Sequence, residues 1–319
     1  MSKSIILSTG NIVSGGPSII RKNGASRSNL ELTSSLRSNF ESAKEDYAVH
    51  TSVDGANGNG NGTSCCSGAP HITPLSVWTE QQGNVLYVPR INWEFAGLRE
   101  EPSQYDVTVK LFFLTTGTTS CPSSRERHAR EALSLVLKEL QMPKVDLLIV
   151  SFPGMSFDGD CEWEADKQNA QQGADDEEAA TWPALEALQR EGLVKDLGIA
   201  EYGSEKLARL LKRVEVKPAV DQINIKNCCN VPPPLVQLAK EQGIELLVHN
   251  DSTDVLPKGT LRELLGTKGA GVLANGDPSH GGLKGDLTPQ WVIKYTAVVR
   301  DRGVIENKGY FAGAELDDA

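Results

Sequence analysis

The residues that could carry chemistry follow the apolar, strand-like runs of the sequence. In parallel sheets the strand ends gather at one edge, and active sites form there. These positions hold basic, acidic, hydroxyl and thiol groups, which are Lys110, Thr115, Thr116, Ser151, Glu201, Lys226, Cys228, Cys229, His249, Asn250 and Asp251. Such groups can transfer protons or act as nucleophiles, so the set predicts where a site would form.

His249, Asn250 and Asp251 stand together after one predicted strand. The histidine could be a general base, because its ordinary pKa lies near neutrality. The favoured interpretation is structural: the imidazole hydrogen-bonds to Asn250 or Asp251 and shapes the mouth of the site.

Cys228 and Cys229 are adjacent, so in extended backbone their side chains point to opposite faces and cannot act as one thiol pair. Buried packing is favoured over redox sensing, because free cysteine is most often core. Both stay candidate partner or redox positions, together with His249, Asn250 and Asp251. An intersubunit disulfide stays open at Cys65, Cys66 or Cys161, which lie in predicted loops.

The sequence lacks the common metal and phosphate motifs. The six cysteines contain no CxxC pair, and the five histidines are too dispersed for a local ligand pair. No GxGxxG follows a predicted strand, and no GxxxxGK[ST] occurs. We therefore expect neither a metal site nor a P-loop.

Alternating strand-like and helix-like segments would position these residues. The strands are predicted at 5–9, 85–91, 107–114, 145–151, 195–200, 219–225, 244–249 and 304–307. The helices are predicted at 30–43, 125–140, 182–191, 204–213, 234–242, 260–265 and 289–302, with Trp291 and Tyr295 as core residues of the last one. Eight repeated units with continuous apolar strands favour a single α/β domain, a closed (β/α)₈ barrel. The topology of the first two units stays open.

Two segments interrupt this pattern. Residues 51–70 hold almost nothing that could bury surface, which predicts a disordered insertion. Residues 158–180 are strongly acidic and predict a loop insertion. A solvated acidic loop is favoured, and a docking loop for a basic partner surface is the alternative.

Charge and hydropathy exclude several classes of function. The formal charge is −10 and the isoelectric point is near 5.1, whereas binding nucleic acid or an anionic membrane needs a positive field. Apolar runs such as 145–150 are far shorter than the roughly 20 residues of a transmembrane helix. The first ten residues are too polar for a secretory signal, so we expect a cytosolic chain.

Several strands resemble a known family. Five segments resemble successive strands of the aldo-keto reductase barrel, which are VKLFF at 109–113, VDLLIVSFPG at 145–154, EGLVKDLGIAEY at 191–202, KPAVDQINI at 217–225 and IELLVHND at 244–251. The segments LSTGNI at 7–12, VKPAVDQINIKNCCNVPPPL at 216–235 and WVIKYTAVVRDRGVIENKGY at 291–310 resemble its non-catalytic branch, the regulatory subunits of glutamate–cysteine ligase.

The resemblance implies a barrel without its own catalysis. Aldo-keto reductases use NADPH and a tyrosine acid supported by Lys, His and Asp, because a phenol near pKa 10 needs a neighbouring cation. Lys110 occupies the lysine position, but Ser151 replaces the histidine, and both are read as relics. Glu201 stands where a cofactor-binding pair is expected, so we expect no cofactor.

The same resemblance implies a partner. The chain would form a heterodimer with the separate catalytic subunit of the ligase, improve its use of glutamate and relieve feedback inhibition by glutathione. The alternative is an NADPH-dependent reductase with an altered catalytic tetrad.

Overall fold

The computed structural model describes residues 4–13, 28–53, 74–114, 121–224, 230–252, 254–273 and 282–317. The strands are β1 (Ser4–Ser8), β2 (Glu80–Gln82), β3 (Val85–Val88), β4 (Tyr105–Phe113), β5 (Val145–Ser151), β6 (Val194–Ala200), β7 (Val220–Asn224), β8 (Glu245–His249), β9 (Asp286–Val299) and β10 (Val304–Asp317). The helices are α1 (Ser28–Val53), α2 (Leu75–Trp78), α3 (Pro122–Leu140), α4 (Glu162–Asn169), α5 (Asp175–Arg190), α6 (Ser204–Leu211), α7 (Pro233–Gln242) and α8 (Thr260–Leu265).

The half of the sheet from β4 to β8 is parallel, and the predicted strands there are confirmed. Helices α3 to α7 occupy the connections between these strands. Apolar residues dominate the strands because the sheet packs against helices on both faces. The connections bring the carboxyl ends of five strands to one edge.

The predicted helix at 289–302 is wrong, because most of it belongs to β9. β9 and β10 form a long antiparallel hairpin. Trp291 and Tyr295 are both 1% exposed, so their core assignment is confirmed, but they lie on a strand. The run from Trp291 to Val299 is rich in β-branched and aromatic residues, which pack well on a pleated surface and lose χ1 freedom in a helix.

The predicted closed (β/α)₈ barrel is corrected to an open, mixed sheet of ten described strands. The order is β2-β3-β1-β10-β9-β4-β5-β6-β7-β8. The hairpin lies between β1 and β4 and pairs antiparallel with both. Beyond β8 the described chain forms α8 and returns to the hairpin, so β2 and β8 remain the two edges.

Two hydrophobic cores cover the two faces of the sheet. One face, here called the α3 face, packs against α3, α5, α6 and α7. The opposite face, the α1 face, packs against α1 and α8. Within the described ranges, none of the helices is both long and apolar enough to cross a membrane.

The acidic segment predicted as a loop at 158–180 instead contains α4 and the start of α5. Asp166 and Glu178 are 8% and 3% exposed. Asp166 accepts hydrogen bonds from the backbone and hydroxyl of Ser204 at the start of α6. The acidic segment can fold as helix because some of its carboxylates are buried and hydrogen-bonded instead of facing one another in solvent. The other predicted insertion, 51–70, lies outside the described residues except for 51–53, which end α1.

Candidate functional site

A group of charged and polar side chains gathers at the carboxyl edge of the parallel strands, on the α1 face. We call it the strand-end cluster, and its members are Lys110, Glu201, Gln222, His249, Asp251 and Lys294. Five strands or strand ends contribute, so the cluster depends on the fold as a whole and not on one local motif.

Lys110 lies at the centre of the cluster. Alternation along β4 sends Val109 and Leu111 into the α3 face, so Lys110 and Phe112 face the opposite side. The ammonium donates to Gln222 Oε1 at 2.7 Å and to Asp251 Oδ2 at 3.0 Å. The residue is 4% exposed. Burial lowers the pKa of Lys110, and Asp251 offsets this only in part.

Asp251 joins two lysines. Lys294 Nζ donates to its other oxygen, Oδ1, at 2.9 Å. The register of β4 and β9 sets Lys110 and Lys294 directly opposite each other, a pairing that would repel without a shared anion. Burial alone would raise the pKa of Asp251, but the two ammonium groups outweigh it and hold that pKa below its ordinary value.

His249 is oriented from both sides. Its Nδ1 accepts the backbone N–H of Asp251 at 3.1 Å, so Nδ1 carries no proton and Nε2 is the protonated nitrogen. Nε2 lies 2.8 Å from Glu201 Oε1, but Nε2 has no hydrogen-bond partner, so this is a close electrostatic contact only. The predicted bond between His249 and Asp251 is thereby confirmed.

Glu201 has an unusual backbone conformation. Its φ is +64°, in the left-handed region that side chains with a Cβ rarely adopt. Its N–H donates to Gln222 O at 3.0 Å, and its carbonyl accepts from Asn169 Nδ2 at 2.7 Å. These backbone hydrogen bonds fix Glu201 with its carboxylate facing His249. The positive φ of the residue costs conformational energy.

A tyrosine lies beside the cluster but is poorly suited to donate a proton. Tyr310 is paired with Lys294 across the hairpin, on the α1 face. Its hydroxyl donates to Glu31 Oε1 at 2.6 Å, and Glu31 also binds Lys308 at 2.7 Å. Burial first, and then Glu31, raise the pKa of Tyr310. A phenol that acts as a general acid near neutral pH needs a lowered pKa instead.

The structure brings together four of the predicted site residues, which are Lys110, Glu201, His249 and Asp251. Ser151 ends β5 and is 8% exposed, but it is not among the hydrogen-bond partners of the Lys110 ammonium. Asn250 is exposed. The other predicted residues lie outside the described part of the chain, and they are Thr115, Thr116, Lys226, Cys228 and Cys229. Their roles stay predictions.

Sequence reasoning missed Lys294, because it placed this residue on a helix. The missed signal is the β-branched and aromatic composition of the segment, which favours a strand. It also missed Glu31 and Tyr310, which meet only because α1 packs across the hairpin.

The cluster can neutralise and hold charge, but it offers little for metal or acid catalysis. No three His, Cys, Asp or Glu side chains of the described residues are arranged to hold a metal ion. Among the hydrogen-bond partners of Lys110 there is no tyrosine hydroxyl.

Comparison with known proteins places this geometry in context. Residues 94–263 match the model of the aldo/keto reductase family. The human glutamate–cysteine ligase regulatory subunit is 24% identical over 216 residues, which cover 68% of each chain. A chain from Schizosaccharomyces pombe, named provisionally as a glutamate–cysteine ligase regulatory subunit, is 30% identical over 242 residues, 71% of this chain and 77% of its own. The solved structure of a Bombyx mori aldo-keto reductase in complex with NADP is 18% identical, with a TM-score of 0.30 over 43% of this chain and 39% of its own.

Proposed function

The chain belongs to the aldo/keto reductase family, and from that premise we propose that it is a non-catalytic regulatory subunit of glutamate–cysteine ligase. The observation that carries the proposal is its similarity to glutamate–cysteine ligase regulatory subunits over more than two thirds of its length. In this proposal it works in the cytoplasm as a heterodimer with the catalytic subunit, without a cofactor, a nucleic acid or a membrane.

The strand-end cluster supports a non-catalytic role. The cation that would lower the pKa of a tyrosine acid in a reductase is Lys110, and no tyrosine hydroxyl of the described residues is among the hydrogen-bond partners of its ammonium. Losing a general acid typically reduces a rate by about a hundredfold to ten-thousandfold. The cluster then serves to fix the strand ends to one another.

Regulation requires differential binding. A subunit that raises the activity of its partner must bind the active conformation of that partner more tightly than the inhibited one. The chain would therefore improve the use of glutamate and weaken feedback inhibition by glutathione through the same preference.

The test is the initial rate of γ-glutamylcysteine formation by the isolated catalytic subunit across glutamate concentrations, with and without this chain. We expect a lower apparent KM for glutamate and a weaker effect of added glutathione. Heat-unfolded chain at the same concentration is the control. Unchanged kinetics at excess chain, together with separate elution of the two proteins in gel filtration, would contradict the proposal.

The second candidate is an NADPH-dependent reductase with an altered tetrad. Family membership and the buried Lys110 favour it. Titration of NADPH fluorescence discriminates between the two functions. Saturable micromolar binding, followed by oxidation of NADPH with a carbonyl substrate, would support the reductase over the regulatory subunit.

A further inference from the structure

A cleft of about 180 Å³ opens between α3 and the adjoining ends of β1, β9 and β10. It is separate from the strand-end cluster, because α3 covers the opposite face of the sheet. The polar and aromatic side chains that line it are Ser4, Arg127, His128, Glu131, Gln290, Trp291 and Glu315.

The acceptors in the cleft include two carboxylates and a buried amide oxygen that has no partner. Glu131 Oε2 accepts from Trp291 Nε1 at 3.3 Å. Gln290 is 5% exposed, and its Nε2 donates to Thr288 O at 3.1 Å. Its Oε1 is buried without a hydrogen-bond partner. An orphaned buried acceptor is costly unless a donor reaches it.

The one guanidinium that lines the cleft already contacts two neighbours through Nη2. Arg127 Nη2 lies 3.3 Å from His128 Nε2 and 3.4 Å from Glu315 Oε1. Arginine has no acceptor atom, so it donates to His128. Burial first, and then Arg127, lower the pKa of His128 to about 4, so the imidazole is neutral at pH 7. Two carboxylates therefore face a single cation.

We propose that this cleft binds a small organic cation, a guanidinium or primary ammonium group on a short aliphatic stem. The cation supplies the donor that Gln290 Oε1 lacks and further donors to Glu131 and Glu315, and it balances the excess negative charge. The stem lies against the apolar wall that Ile6 and the Trp291 ring provide. The inference does not rest on the proposed function.

The test is calorimetric titration of the full chain with propylguanidinium chloride at low ionic strength. We expect saturable binding with a Kd of about 1 mM, typical of a ligand with few atoms in a polar cleft. The neutral isostere N-propylurea should bind at least about tenfold more weakly, because hydrogen bonds to charged groups are the stronger ones. Equal binding of the two compounds, or none at concentrations tenfold above that Kd, overturns the proposal.

Variants locate the site. Glu131→Gln should weaken propylguanidinium binding about tenfold or more, and Glu126→Gln, on the exposed side of the same helix, should leave it unchanged. Glu131 and Glu315 are both partly buried and lie on different elements, so Glu315→Gln provides a second variant in case Glu131→Gln fails to fold. Binding that survives both Glu131→Gln and Glu315→Gln overturns the assignment.

The cation could be a free amine or the basic side chain of another protein. A capped Gly-Arg-Gly peptide separates these sources. Binding as tight as that of propylguanidinium, with the same loss in Glu131→Gln, supports a protein side chain. Binding of propylguanidinium alone supports a free small cation.

Discussion

Two buried lysines, Lys206 and Lys110, are held in different ways. Lys206 is 1% exposed, and its ammonium meets Asp175 at 2.7 Å, Glu178 at 2.8 Å and the carbonyl of Gln172 at 2.8 Å. Its three donors thus have three strong acceptors. Lys110 has Gln222 and Asp251 at similar distances, but its third neighbour, His249 Nδ1, lies 3.5 Å away.

The surroundings differ as well. Lys206 joins α6 to the start of α5, and Glu178 also accepts the Tyr202 hydroxyl at 2.5 Å. Lys110 lies directly opposite a second cation, Lys294, on the neighbouring strand β9. A buried lysine is therefore no sign of catalysis by itself, because Lys206 is fully coordinated and fixes helices. The ammonium of Lys110 is less completely coordinated than that of Lys206.

The largest effect should come from Lys206→Met. The change leaves Glu178 buried without its cation, and removing one partner of a buried pair costs about 3–5 kcal/mol. Urea denaturation measures the free energy of unfolding. Lys212→Met, at an exposed position just after α6, is the matched control and should change it by less than about 0.5 kcal/mol. A loss below about 1 kcal/mol in Lys206→Met would remove the structural role we assign to this residue.

Asp251→Asn should cost somewhat less, about 2–3 kcal/mol, because the amide still accepts one hydrogen bond and Lys294 can reach water. The exposed neighbour Asn250→Ala is its control.

The pH dependence of the Asp251 effect has a definite sign. The folded pKa of Asp251 lies below its ordinary value of 3.8, so its stabilisation is fully present above pH 3.8 and is lost as the pH falls further. The difference between wild type and Asp251→Asn should therefore shrink on acidification below pH 4. A constant difference would show that the ion pairs do not cause it.

Asp221 should show the opposite pH dependence with a smaller effect. It is fully buried beside Glu201, its Oδ2 has no partner, and burial raises its pKa well above 3.8. The unfolded chain loses this proton near pH 4 while the folded chain keeps it, so wild-type stability falls as the pH rises. Asp221→Asn should match wild type below pH 4 and gain about 2 °C in Tm at pH 8. A gain that is equal at both pH values would contradict the assigned pKa.

The contrast between the two lysines also shows what the sequence can predict. Lys110, His249 and Asp251 were predictable because each lies on a regular apolar strand of the parallel half or directly after one. Lys294 was not predictable in the same way, because the mixed spacing of apolar and polar residues at 289–302 predicts a helix whereas the segment forms β9. The charge pattern of the acidic segment predicts a loop, because such a pattern considers only neighbouring residues. The cation that pairs with the segment, Lys206, lies about thirty residues away in the chain. Long-range pairing is the information that local patterns lack.

The smallest predicted effect compares the strain of the positive φ at Glu201 with the stabilisation from the contacts of its carboxylate. Glu201 and Gln141 are the non-glycine residues of the described chain with positive φ, +64° and +50°. Asparagine tolerates this region better, so Gln141→Asn, at the exposed end of α3, should stabilise by about 0.5 kcal/mol. Glu201→Asn gains the same relief but loses the contact with His249 and the bond from Asn224 N at 3.3 Å, so its net effect should lie near zero or below. Equal gains in the two variants, measured as free energies of unfolding, would mean that the carboxylate of Glu201 does not hold His249.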